Sequence, residues 1–126
     1  MKKSDLFVVL ASVFSLSMAS ALAEDVKPAA GPTDAEIAHI VVTANAVDID
    51  AGKLGKKKAK SKEVKEFAQL MITDHTAINK QATDLAKRLH LTPKYNPTSE
   101  SLANGGKENL EKLKKLKGKT FDKEYV

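Results

Sequence analysis

The chain has 126 residues, 42% hydrophobic and 29% charged, which suits one small globular domain and is too short for two. Aromatic residues are only 5%, with no Trp, which argues against a β-sandwich core and for helices packed by Leu, Ile, Val and Ala. The absence of cysteine excludes disulfides, thiolate metal sites, cysteine nucleophiles and an acylated-cysteine anchor, and the formal net charge is +5.

Residues 1–23 read as a secretory signal peptide. Met1-Lys2-Lys3 is the basic start, an apolar stretch runs from about Leu6 to Met18, and Ala21-Leu22-Ala23 sets cleavage after Ala23. The apolar stretch is short for a permanent membrane helix, which needs about 20 residues. The expected product is therefore exported and periplasmic. Residues 24–32, with Pro28, Gly31 and Pro32, form a linker without periodicity.

Thr33-Asp34-Ala35-Glu36 has the spacing of a capping box and opens a first helix. Its apolar stripe is Ile37, Ile40, Val41, Ala44, Val47, Ala51 and Leu54. It runs to about Ala59, with Lys56, Lys57 and Lys58 at the negative end of the helix dipole. Gly52 and Gly55 lie inside it and weaken it by about 1 kcal/mol each, so their expected use is the close approach of a neighbouring helix.

Ser61 caps a second helix whose stripe is Val64, Phe67, Ala68, Met71, His75, Ile78, Ala82, Leu85 and Leu89. Thr92-Pro93 is expected to end it. A third helix falls within residues 99–117, with Leu102, Leu110, Leu113 and Leu116 facing inward. Asn104-Gly105-Gly106 interrupts its beginning, and Gly118 follows as a C-terminal glycine. Thr120 then caps a fourth helix carrying Phe121 and Tyr125, of which the sequence holds one turn. The expected fold is all-α: an antiparallel bundle over residues 33–126, three helices plus the first turn of a fourth.

Two motifs carry a family resemblance. Val64-Lys65-x-Phe67-Ala68-x-x-Met71-Ile72-x-Asp74-His75-Thr76, preceded by Gly52-Lys53-Leu54, is similar to the central motif of DUF4142, a bacterial family of unknown function. Leu113-x-x-Leu116-x-Gly118-x-x-Phe121-Asp122-x-x-Tyr125-Val126 resembles its second motif. The resemblance implies a ferritin-like four-helix fold and the label of outer-membrane protein, although helical stripes do not build an outer-membrane barrel. It further implies a glutamate in the first helix, where this chain has Asp48 or Asp50, and a full fourth helix with another histidine. The chain thus reads as a truncated member. A groove lined by Val47, Met71, His75, Ile78 and Leu110 would then be open to self-association or to a partner helix.

His75, flanked by Asp74, lies one turn beyond Met71 on an apolar face. Such a ring is a buried group with one hydrogen bond, a proton carrier or a metal ligand, with Asp48 as its partner in the structural and the ligand readings alike. His75, Asp74 and Asp48 are the candidate metal residues. Glu36-x-x-His39 has the spacing of a di-iron motif, but His39 is rotated about 200° from Ile37, away from the stripe, and Glu36 is committed to the cap. His90 sits near the second helix terminus, where a protonated ring is favourable.

Lysines crowd the first helix–helix junction and the end of the third helix, while Arg88 is the one arginine. That composition speaks for solvated faces and against nucleic acid, which needs arginines and stacking aromatics. It leaves weak attraction to an anionic membrane surface as an alternative. No phosphate loop, nucleophile elbow or catalytic triad is present, so no catalytic residue and no cofactor is assigned. The expected function is that of an exported protein with a structural or interaction role in the envelope or in stress tolerance. A ferritin-like metal-binding or redox protein is the alternative.

Overall fold

The computed structural model describes residues 30–126. The expected signal peptide, its cleavage after Ala23 and residues 24–29 of the linker lie outside the described residues. Four helices follow: α1 (Asp34–Lys58), α2 (Lys62–Arg88), α3 (Pro97–Lys115) and α4 (Gly118–Tyr125). The fold is all-α, as the periodicity requires, with no strand among the described residues.

The starts of α1 and α2 follow the expected capping chemistry. Thr33 and Glu36 form a reciprocal box, Glu36 accepting from the Thr33 amide at 2.9 Å and Thr33 Oγ1 from the Glu36 amide at 3.4 Å. Ser61 Oγ accepts from the Val64 amide at 3.1 Å. The end of α2 departs from expectation. Thr92-Pro93 plays no part, because the helix has already closed in a Schellman motif. His90 adopts a left-handed φ of 54°, its amide donates to Lys87 O at 3.1 Å, and the Leu91 amide donates to Ala86 O at 2.8 Å.

Helix α3 also starts earlier than its apolar pattern suggests. Asn96 caps it, Ser99 returns the bond to the Asn96 amide, and Pro97 occupies the first turn, where its missing N–H costs nothing. Gly105 and Gly106 do not interrupt it. A methyl on Gly106 would lie 2.7 Å from both Val47 γ-carbons, so that glycine is the contact point between α3 and α1. The start of α4 is likewise displaced. Thr120 is not its cap; α4 opens at Gly118, whose φ of 56° turns the chain after α3, and extends for eight residues, about two turns.

Helix α1 is the central element. α2 runs antiparallel to it after a three-residue turn, and α3 runs parallel to it. Asn96 donates to Glu36 O near the start of α1, and Lys58 donates to Leu113 O and Lys114 O near its end. α2 and α3 each pack on α1 and barely meet one another. The two internal glycines of α1 have the role expected of them. Gly52 admits Ile72 and the Ala68 carbonyl of α2, and Gly55 admits the ring of Tyr125 from α4.

The core is concentrated at the end where the α1–α2 and α3–α4 turns meet. Phe121, Leu113 and Ala59 are buried there, with Leu54, Val64, Leu116 and Tyr125 packed around them. Phe121 and Tyr125 stack at 5.8 Å. The Asp122 carboxylate accepts from the amides of Lys60 and Ser61, each at 2.8 Å, and so completes the start of α2 from 60 residues away. Residues 30–126 thus contain a core of their own.

Candidate functional site

His75 projects from the face of α2 that meets α1. Its Nδ1 donates to Asn45 Oδ1 at 2.8 Å, and Asp48 Oδ2 lies 3.6 Å from the same nitrogen. Two acceptors on successive turns of α1 therefore bracket one ring nitrogen. This places the proton of the neutral ring on Nδ1 and leaves Nε2 as a lone pair. The His75 side chain is 24% exposed, that of Asp48 is 50% exposed, and Asn45 is buried. The arrangement fixes the register of α1 against α2 and holds one imidazole at a set orientation between the two helices.

Asp74, the neighbour of His75 on α2, is exposed and does not join this hydrogen-bonded group. Asn45, which the sequence reading missed, is the principal partner. Among the described residues, no three His, Asp or Glu side chains come together as a metal site. One turn beyond His75, Asn79 Oδ1 is a buried acceptor with no partner among the described residues.

Glu36 and His39 serve separate purposes. Hydrogen bonds from the Thr33 amide and hydroxyl, aided by Lys94, hold the Glu36 carboxyl below its ordinary value. His39 packs edge-on against Tyr95 at 5.8 Å, on the side of α1 turned from the apolar stripe, and its Nδ1 lies 3.4 Å from Thr43 Oγ1.

The groove beside His75 runs along α1 and α2. α4 occupies one end of it: Tyr125 lies over Gly55 and meets Phe67 edge-on at 6.2 Å. Burial and the nearby Asp48 carboxylate push the Tyr125 phenol above its ordinary value. Beyond Tyr125 the described residues leave the groove uncovered. Ile78, Leu85 and Leu89 of α2 are 44, 47 and 57% exposed, and Ile37 of α1 is 44% exposed. The far end is a cleft of about 390 Å³ lined by Ile37, Val41, Ala82, Leu85, Ala86 and Leu89 among others.

Met71, His75 and Ile78 share α2 as expected, but Val47 and Leu110 do not line this groove. They meet at the α1–α3 seam, Val47 against Gly106 and both beside Asp50 and Lys107. Periodicity identified the buried stripe of α1 without telling which neighbour each side of it faces.

Residues 18–126 match the family model for a domain of unknown function, DUF4142. No curated protein and no solved structure matches the chain.

Proposed function

The chain belongs to the DUF4142 family, and within it we propose an exported envelope protein that works by association through the α1–α2 groove, with no reaction of its own. The observation that carries this reading is the exposed apolar stripe of Ile78, Leu85 and Leu89 on α2, the last two lining one cleft with Ile37 of α1. α4 shows what the groove accepts: a helix, apolar side down, with a ring against a glycine.

The occupant we assign is α2 of a second copy, paired antiparallel. Residues 53–66 and 111–126 hold 13 lysines against five acidic residues, whereas residues 30–52 and 67–110 hold five basic against eight acidic. Antiparallel pairing sets the basic end of each copy beside the acidic remainder of the other; parallel pairing would oppose two basic ends. Buried apolar side chains supply the affinity, and the His75–Asn45–Asp48 group keeps the α1–α2 seam polar at one register point.

Sedimentation equilibrium tests this. The expected result is a dimer that Leu85→Glu converts to a monomer of unchanged helical content. A monomer persisting to about 1 mM, the weak limit of specific association, would overturn the reading.

A further inference from the structure

The two lysine-rich segments are separated by 44 residues, 67–110, and the fold joins them into one surface. Asp122 of α4 binds the amides of Lys60 and Ser61, and Lys58 binds the last carbonyls of α3 while covering Phe121 at 5.5 Å. The α1–α2 turn and the α3–α4 turn are therefore stitched side by side at one end of the bundle. The 13 lysines of residues 53–66 and 111–126 converge there.

Some of them are neutralised locally. Lys53 pairs with Asp50, Lys62 with Glu66, Lys112 with Glu124 and Lys114 with Glu111. Lys57, Lys60, Lys65, Lys115, Lys117 and Lys119 are exposed, and the ion pairs described do not involve them.

We propose that this basic end docks the bundle end-on against an anionic lipid surface. The inference rests on the merged lysines and not on the pairing of two copies through the groove. Three features favour a headgroup layer over a nucleic acid. The surface contains no arginine, and hence no fork for bidentate reading of bases. Phe121 and Tyr125 are stacked on each other, and the exposed Phe67 is a single ring set edge-on to Tyr125, so there is no row of free rings for successive bases. Its charges are flexible point ammoniums spread over two turns, suited to a diffuse layer of negative headgroups. Among the described residues no helix is long and apolar enough to cross a membrane, and the contact proposed for this end is electrostatic and at the surface.

Cosedimentation of the protein with phosphatidylglycerol vesicles, and with phosphatidylcholine vesicles as the neutral counterpart, tests the proposal. Binding is expected to the anionic vesicles alone and to collapse as salt rises, since the screening length shrinks from about 10 Å at 0.1 M to about 3 Å at 1 M. Each lysine near such a surface contributes roughly a fivefold gain in affinity. The combined Lys57→Gln, Lys60→Gln, Lys115→Gln and Lys117→Gln variant should therefore lose roughly two orders of magnitude or more. Lys87→Gln with Lys107→Gln, which removes two charges outside this end, should bind as the parent does. All six sites are exposed, and unchanged circular dichroism verifies that the variants are folded. Equal binding to neutral vesicles, indifference to salt, equal losses in the two variants, or tighter binding to a single-stranded oligonucleotide than to the vesicles would each overturn it.

Discussion

The two ends of this bundle are closed by different means. Where α1 turns into α2, side chains from α3 and α4 converge: Phe121 and Leu113 are buried, and Asp122 reaches back to the start of α2. At the opposite end, the segment between α2 and α3 is tied by hydrogen bonds. The Lys94 amide donates to Ala35 O at 2.8 Å and Asn96 to Glu36 O at 3.1 Å, while Ile37, Leu85, Leu89 and Tyr95 remain exposed around them. An apolar seal depends on residues distant in sequence and confers most of the stability. Hydrogen bonds to backbone position a loop but bury little.

The strongest test of this contrast is a pair of truncations. Phe121→Ala should cost about 3–5 kcal/mol, as expected for a fully enclosed aromatic, whereas Leu85→Ala at the open end should cost under about 1 kcal/mol when both are measured at concentrations dilute enough for the monomer. Equal losses in chemical denaturation would erase the distinction between the ends. Asp122→Ala comes next. It strands two amides at the start of α2 and should cost about 1–3 kcal/mol, read as a lower denaturation midpoint with an unchanged slope.

Glycines sharpen the comparison at intermediate scale. A methyl at Gly52 would sit 3.0 Å from the Ala68 carbonyl, backbone that cannot yield, so Gly52→Ala should destabilise by about 1–3 kcal/mol. Gly105 faces open space, and Gly105→Ala should gain about 1 kcal/mol from helix propensity alone. At the open end, His90 holds a left-handed conformation that disfavours any side chain. His90→Gly should raise the thermal midpoint by the equivalent of about 1 kcal/mol.

The smallest effect is electrostatic. The fold raises the Tyr125 phenol above its ordinary value near 10 because it favours the neutral form. Its stabilising contribution is complete below about pH 10 and is lost as pH rises through the folded value. Tyr125→Phe should flatten the alkaline decline in melting temperature; an unaltered decline would assign it to other groups.

Much of this fold was legible because local chemistry and periodicity agreed. Thr33 with Glu36, and Ser61 ahead of Val64, announce two helix starts that need no tertiary information. What escaped depended on distance. Asp122 looks like an ordinary helical aspartate until the amides it caps, about 60 residues earlier, are brought beside it. Thr120 has the right chemistry for a cap, yet the left-handed Gly118 starts the helix before it. At the candidate site, His75 and Asp48 stood out as polar groups beside apolar stripes. Asn45 did not, because an amide within a stripe has no sequence signature until its partner is known.

The dependence of α2 and α3 on α1 alone also has a dynamic consequence. With little contact between α2 and α3, the α3–α4 unit can lift from the α1–α2 hairpin once Lys58, Asp122, Lys94 and Asn96 release their bonds and the Phe121–Leu113 core opens. Amide protons of α1 should then exchange most slowly of all, and those of α3 should form a separate, earlier-opening class, so that the molecule breathes as two unequal leaves hinged on one spine.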